Sequence, residues 1–235
     1  SMSIVSPETY LELVQRATIE CGYAGDPPAT LAGASGELLQ LMGWVNQSWM
    51  ELQQTHPDWG FKLQSPGVSF TTVAAQRFYT PTQAGVTLGD VTKWKRETFR
   101  VYHTATGAAS EVRMSWYEYD DWRDSFDIGS LKTSQVYPVN FSITPEMSLA
   151  IQCPLVGYTI TGDYYQIATP LELDADEPDL PKQYRMIIVY GAMKFYGANQ
   201  SAPEVYDQGS GQYNKLVNKL EHRYLPEVAT AGALA

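Results

Sequence analysis

Two segments near the start of the chain carry apolar residues at helical spacing. The first predicts a helix capped by Ser6, with Pro7 in its first turn and Gly22 as its end. Its apolar face comprises Tyr10, Leu13, Val14, Ala17 and Cys21. The second predicts a helix that opens at Ser35 and ends before Pro57, because the residue before proline avoids helical angles. Its apolar face comprises Leu38, Leu41, Met42, Val45, Trp49 and Leu52.

From Trp59 the spacing of apolar residues shifts towards two, and proline and glycine interrupt the pattern. Short alternating runs between turn residues are typical of antiparallel strands. Further strands are predicted at 98–103, 111–116, 136–143, 148–153 and 158–169. Between them, residues 117–126 predict one or two helical turns.

Two helices are predicted after the strands. Pro181 is compatible with the first turn of a helix that is apolar on nearly every side and ends near Tyr196. A final amphipathic helix ends near Tyr224, and Gly209 and Gly211 predict a kink or a late start in it. Each pair of helices needs a partner to cover its apolar face.

These elements predict an α+β protein. The N- and C-terminal helices are expected to form a four-helix bundle that carries a large inserted antiparallel β domain. The predicted parts are an N-terminal helical half, the β-rich insert, a C-terminal helical half and a flexible tail, at residues 1–58, 59–173, 174–225 and 226–235.

Composition narrows the class of protein. At 44% hydrophobic and 18% charged residues, the 235-residue chain is typical of a folded globular protein. Its net charge of −10 argues against a surface that grips nucleic acid, although DNA could still pass beside it. No run of about 18 apolar residues predicts a membrane span, and no apolar leader opens the chain. Cys21 and Cys153 are expected to be reduced packing residues.

Few residues predict catalysis. The three histidines, His56, His103 and His222, lie in separate predicted elements, and no nucleophile elbow or phosphate-binding glycine loop occurs. We therefore expect no catalytic residue, no bound cofactor and no enzymatic activity. A hydrolase that uses paired carboxylates stays open, because their separation is a spatial quantity.

Two acidic segments were considered as cation sites. The segment from Asp174 departs from a calcium loop, since Asp179 stands where glycine is needed and Arg185 where glutamate is needed. A second group at one-face helical spacing is Asp120, Asp124 and Asp127. Arg123 lies among these three, which favours a solvated, capped short helix over a metal site. We therefore expect no bound metal.

Aromatic residues are abundant in the strand region, and the chain has 16 Tyr and 6 Trp. Those in the strand region include Trp94, Trp116, Trp122, Tyr137 and Tyr164. They could form a stacking platform for sugars, but core filling and flat protein contacts use the same residues more often.

The order of the blocks resembles bacteriophage head-tail connector, or adaptor, proteins. The resemblance covers nearly the whole chain and rests on LLQLMGWVNQSWMELQQTHPDWGF, RMSWYEYDDWRDSF, GYTITGDYYQIATPLELDADEPDLP and YRMIIVYGAMKFYG. No single block is diagnostic. Gly209 and Gly211 depart from the continuous last helix that such proteins usually keep.

The resemblance implies a structural virion protein at the head-tail junction, made in the host cytoplasm and not bound to membrane. It implies a ring, expected to contain twelve copies, that docks on the portal protein, contacts tail or nozzle proteins and lets DNA pass without specific binding. The isolated chain is expected to be monomeric. The alternative is a carbohydrate- or receptor-binding virion module that uses the aromatic β region.

Two sets of interface residues follow from this resemblance. The expected portal interface comprises Tyr213, Leu216, Leu220, Tyr224, Leu225, Pro226, Glu227 and Val228. Residues expected to face the tail or a neighbouring subunit are Trp94, Trp122, Asp120 and Asp124.

Overall fold

A computed structural model describes residues 6–86 and 91–225. Two compact units divide this part of the chain. The helical unit comprises residues 6–61 and 168–225, and the sheet unit comprises Lys62–Ile167. The protein is therefore α+β, as predicted from the sequence.

The helices are α1 (Tyr10–Cys21), α2 (Gly36–Thr55), α3 (Tyr119–Phe126), α4 (Met186–Asn199) and α5 (Pro203–Tyr224). The strands are β1 (Leu63–Thr71), β2 (Phe78–Tyr79), β3 (Val91–His103), β4 (Val112–Arg113), β5 (Ser115–Trp116), β6 (Asn140–Ile143), β7 (Leu149–Ile151) and β8 (Tyr158–Gln166).

The start of α1 differs from the prediction. Thr9 is the cap residue, and its hydroxyl accepts a hydrogen bond from the Glu12 amide at 3.3 Å. The Ser6 hydroxyl instead donates to the Lys182 carbonyl oxygen at 2.6 Å, so the prediction of Ser6 as the cap is wrong. The predicted end is confirmed, because Gly22 adopts a left-handed conformation with φ of 68°.

The acidic segment before α4 completes the start of α1. The Tyr10 amide donates to the Asp176 carbonyl oxygen at 2.8 Å, and the Leu11 amide donates to the Asp174 carbonyl oxygen at 3.1 Å. These are amides of a first helical turn, which have no partner inside their own helix. Backbone carbonyls from the other end of the sequence therefore stabilise α1.

Helix α4 forms the centre of the helical unit. It contacts α1, α2 and α5, which explains why its sequence is apolar on nearly every side. Its buried residues are Ile187, Ile188, Val189, Gly191, Ala192, Met193 and Gly197. The helix begins at Met186, because Lys182–Tyr184 form a short 3-10 helix after Pro181.

Helix α5 runs without interruption from Pro203 to Tyr224, so the predicted late start at Gly209 and Gly211 is wrong. Gly209 is buried against α4, and Gly211 is open to solvent. The first glycine therefore allows two helices to approach closely, which offsets its low helix propensity.

The sheet unit contains two four-stranded sheets, with strand orders β1-β8-β3-β4 and β2-β7-β6-β5. Both contribute buried residues to one core that includes Phe99, Phe141 and Ile160. The pairing is antiparallel except between β5 and β6, which are parallel. The predicted strand at 111–116 is two strands in different sheets, with buried Met114 between them.

Candidate functional site

Within 6–86 and 91–225, no group of three His, Cys, Asp or Glu side chains is arranged to hold a metal ion. In the same ranges, no helix combines the length and apolar character needed to cross a membrane.

Two of the histidines make structural contacts. The Nε2 atom of His56 lies 3.1 Å from the Oε1 atom of Glu221. The His56 ring also packs edge-on against Trp59. The His103 ring packs edge-on against Tyr158 in the sheet unit. These contacts join neighbouring elements within each unit and bring no nucleophile to either ring.

The residues expected to face the portal lie on the inner side of α5. The described members are Tyr213, Leu216, Leu220, Tyr224 and Leu225. Leu220 belongs to the buried core of the helical unit, and the other four are partly buried against that core. Leu220 is fully buried, and burial raises the pKa of the Tyr213 hydroxyl. This face therefore packs within the chain, and its contact with the portal stays a prediction. Pro226, Glu227 and Val228 lie outside the described residues.

The two tryptophans expected at a tail-facing or intersubunit surface are also internal. Trp94 is 2% exposed, and its indole N–H donates to the Met147 carbonyl oxygen at 2.9 Å. Trp122 is fully buried beside Phe78. Their surface assignment is corrected, because core packing accounts for both rings.

The acidic residues of α3 have different environments. Asp120 and Asp124 are exposed, and Asp120 lies 4.0 Å from Arg123. Asp127 forms an ion pair with Arg77 and lies 3.9 Å from Lys132. Cationic side chains therefore neutralise Asp127, which supports the interpretation of 117–126 as a short helix over that of a metal site.

The sheet unit also contains a polar cleft of about 250 Å³. Its lining residues are Ser65, Pro66, Thr98, Arg100, Glu111, Thr161, Gly162 and Asp163. No aromatic ring lines this cleft, and sugars are commonly held by aromatic stacking, so it does not match the platform considered for carbohydrate binding.

An exposed apolar patch lies on two loops of the sheet unit. We define it as the loop patch, formed by Val73, Leu155 and Val156, whose side chains are 54%, 38% and 66% exposed. The Ala75 amide donates to the Pro154 carbonyl oxygen at 3.2 Å, which holds the two loops together. Clustered exposed apolar side chains on a fixed backbone are typical of protein contact sites.

The helical unit presents a groove of about 490 Å³ between the α1–α2 loop, α2 and the acidic segment. Its lining residues, which define the acidic groove, are Leu31, Ala32, Met42, Glu172, Leu173, Asp174 and Ala175. Leu173 is 69% exposed. The Asp174 carboxylate accepts hydrogen bonds from Thr30 Oγ1 at 2.7 Å and the Leu31 amide at 3.2 Å, which fixes one acidic edge.

Sequence reasoning did not identify the loop patch or the acidic groove. Val156 follows Pro154 in a turn, and Leu173 lies among acidic residues, so neither belongs to a periodic apolar face. Isolated apolar residues within loops were the available signal.

Comparison with known proteins gives one family match. The sequence model of the SU10 adaptor protein family matches residues 8–231. No curated protein matches the chain.

Proposed function

Because the chain belongs to the SU10 adaptor protein family of bacteriophage head-tail adaptors, we propose that it forms a ring between the portal and the tail. The match covers nearly the whole sequence. The protein is a structural component of the virion, and an adaptor of this family interacts with portal and tail components. Membership of the family does not by itself establish the ring, its twelve copies or its sealing role, and these three features are our proposal.

The helical unit is proposed to act as a four-helix bundle that gives the ring its rigid body. Support comes from the common core of α1, α2, α4 and α5. A ring of identical subunits needs two different, complementary surfaces on each copy. Such contacts need no catalytic residues, and we propose that the protein is not an enzyme.

The interface residues are a further part of the proposal. Because the apolar face of α5 packs within the helical unit, we propose that residues 226–235 provide the portal contact. The loop patch and the exposed Asp120 and Asp124 are proposed to face tail proteins or a neighbouring subunit.

Charge supports passage of DNA without adhesion. Residues 6–61 and 168–225 contain 15 Asp and Glu but only seven Lys and Arg, so the helical unit carries most of the net negative charge. A negative surface repels phosphates and gives little nonspecific DNA affinity. We propose that part of this unit lines the DNA path.

Electron microscopy of the protein mixed with its portal tests the proposal. The expected result is a ring of protein density on the portal, with twelve copies, whereas the protein alone is monomeric by light scattering. Absence of any complex would contradict the adaptor assignment. Deletion of 226–235 is expected to abolish docking, and normal docking of that variant would overturn only the role of the tail.

A further inference from the structure

Three basic side chains form a line on the outer face of α5. We define the basic row as Lys215, Lys219 and Arg223, which are spaced four residues apart and are all exposed. At 1.5 Å per residue the row extends over about 12 Å of one helix face. Among the described residues, none of the three forms an ion pair.

Other cations of the helical unit have partners close by. The ion pairs are Arg16 with Glu20 at 2.5 Å, Lys182 with Glu8 at 2.6 Å and Arg185 with Glu177 at 3.2 Å. Lys194 lies over the Tyr213 ring at 4.4 Å. Arg223 also lies over a ring, that of Tyr224, at 5.9 Å. The basic row still lacks ion pairs among the described residues, on a unit that is otherwise strongly acidic.

The acidic groove complements this row in charge. Its lining combines the apolar residues Leu31, Met42 and Leu173 with the acidic residues Glu172 and Asp174. A lysine side chain combines an aliphatic stem with a terminal ammonium group. Lysine stems can therefore contact these apolar residues while their ammonium groups reach the carboxylates.

We propose that the basic row of one copy binds the acidic groove of a second copy. The inference rests on the proposed ring and names the contact that joins adjacent subunits. The two surfaces are different patches of one chain, so the contact is heterologous and leaves one unused patch at each end of a pair. Repetition of the contact adds further copies until a ring closes.

A second copy fits the row better than DNA does. DNA would have to approach a unit that carries about twice as many acidic as basic residues. Three phosphate contacts would also give only weak DNA binding. The logarithm of its association constant would fall with the logarithm of salt concentration with a slope of about −2.7. The acidic groove offers the Glu172 and Asp174 carboxylates beside apolar residues.

The contact is expected to be weak between free copies, because exposed ion pairs are individually weak and are screened by salt. Zero-length carbodiimide cross-linking captures such a contact. We would mix unlabelled and ¹⁵N-labelled protein at high concentration and low salt, and identify linked peptides by mass spectrometry. The expected products are mixed-isotope links from Lys215 or Lys219 to Glu172 or Asp174, reduced at least tenfold in about 1 M salt.

Charge reversal identifies the partners. K215E/K219E is expected to lose the links, and a mixture of K219E with E172K is expected to restore a link between positions 219 and 172. R113E provides a matched control, because Arg113 is an exposed cation of the sheet unit that lies outside the row, and it should retain the links. Links confined to one isotope, or links unaffected by K215E/K219E, would overturn the proposal.

Two further measurements separate the alternatives. Fluorescence anisotropy with duplex DNA is expected to show no binding by the wild type, and DNA binding that K215E/K219E abolishes would overturn the proposal in favour of a DNA contact. Portal assembly of the same variant is followed by electron microscopy. Complete rings formed by K215E/K219E would refute the proposed contact and leave the adaptor function intact. If the wild-type protein forms the cross-links but never binds portal, only the adaptor function would be refuted.

Discussion

Gly209 of α5 lies so close to Met193 of α4 that an added Cβ atom would be 2.8 Å from the Met193 Cβ atom. The same Cβ atom would be 2.9 Å from the Tyr190 carbonyl oxygen. Real Cβ atoms are essentially never found this close, and one neighbour is backbone, so the two helices would have to separate. The small residue therefore sets the distance between α4 and α5.

We predict that Gly209→Ala destabilises the helical unit by roughly 1–3 kcal/mol through overpacking. Gly211→Ala is the matched control, because nothing lies within 4 Å of its added Cβ atom. It should stabilise α5 by about 0.5–1 kcal/mol through higher helix propensity. Urea unfolding followed by far-ultraviolet circular dichroism measures both, and equal effects of the two variants would contradict the close approach.

This pair of glycines shows what the sequence can and cannot predict. The spacing of apolar residues predicts α5, but helix propensity alone does not distinguish Gly209 from Gly211. Only the position of α4 distinguishes them. The same limit applies to Leu220, because spacing reveals an apolar face but not whether the chain itself or a partner covers it.

The start of α1 shows a second limit. Ser6 and Thr9 both have the chemistry of a helix cap, and the choice depends on groups far away in sequence. Ser6 is held by the Lys182 carbonyl oxygen, which leaves Thr9 to cap the helix. Likewise, the division of residues 111–116 between two sheets depends on pairing with β3 and β6, which no local pattern encodes.

Arg185 joins the acidic segment to the residues before α1. Its guanidinium donates to the carbonyl oxygens of Leu180 at 3.0 Å, Glu8 at 2.5 Å and Pro178 at 3.1 Å. We predict that Arg185→Met destabilises the protein by roughly 3–5 kcal/mol, because these buried acceptors lose a charged partner. Thermal or urea unfolding measures the change.

Lys182→Met is the control for Arg185. Lys182 also binds an acidic group near α1, the Glu8 carboxylate, but both side chains are exposed. Surface pairs of this kind contribute little to stability. A loss as large as that of Arg185→Met would show that charge near α1, and not the buried hydrogen bonds, stabilises this region.

The acidic segment also predicts a dependence on pH. Hydrogen bonds from the Leu173 and Glu172 amides lower the pKa of Asp176. A lowered pKa means that the ionised carboxylate stabilises the fold above the ordinary aspartate pKa of about 3.9, and that this contribution is lost as pH falls towards the lower folded value. Asp176→Asn should therefore be less stable than wild type at pH 7 and approach it below about pH 3.

Urea unfolding at several pH values between about 2 and 7 checks this expectation. Asn keeps an acceptor oxygen and removes the charge, so the variant isolates the ionised state. Asp124→Asn is the control, because Asp124 is exposed on α3 and has no hydrogen-bond partner among the described residues. A stability difference for Asp176→Asn that stays constant with pH would contradict the prediction.

The cysteines should be unreactive in the native protein. Both Cys21 and Cys153 are free and buried, and burial raises the pKa of Cys21 to about 12. Burial restricts access to both thiols, and the raised pKa also disfavours the reactive thiolate form of Cys21. Ellman's reagent at pH 8 is expected to detect no thiol before urea is added and two afterwards; rapid reaction of either thiol in the folded protein would contradict this.

The contacts of Trp94 are those of a core residue and not those of a ligand-binding platform. Its ring packs against Phe99 and Tyr164, and its N–H has a backbone partner. We predict that Trp94→Ala destabilises the sheet unit by roughly 3–5 kcal/mol, as measured by near-ultraviolet circular dichroism during urea unfolding. Loss of glycan binding by this variant would then report unfolding, so it cannot by itself support a carbohydrate-binding role.

Val156→Ser provides the surface comparison for Trp94. Val156 is 66% exposed in the loop patch, so removing its apolar side chain should change stability by less than about 0.5 kcal/mol. If the loop patch contacts a tail protein or a neighbouring subunit, Val156→Ser should weaken assembly by electron microscopy while the protein remains folded. Normal assembly of Val156→Ser together with V73S and L155S would exclude the loop patch from these contacts, because no exposed apolar side chain of the patch would remain.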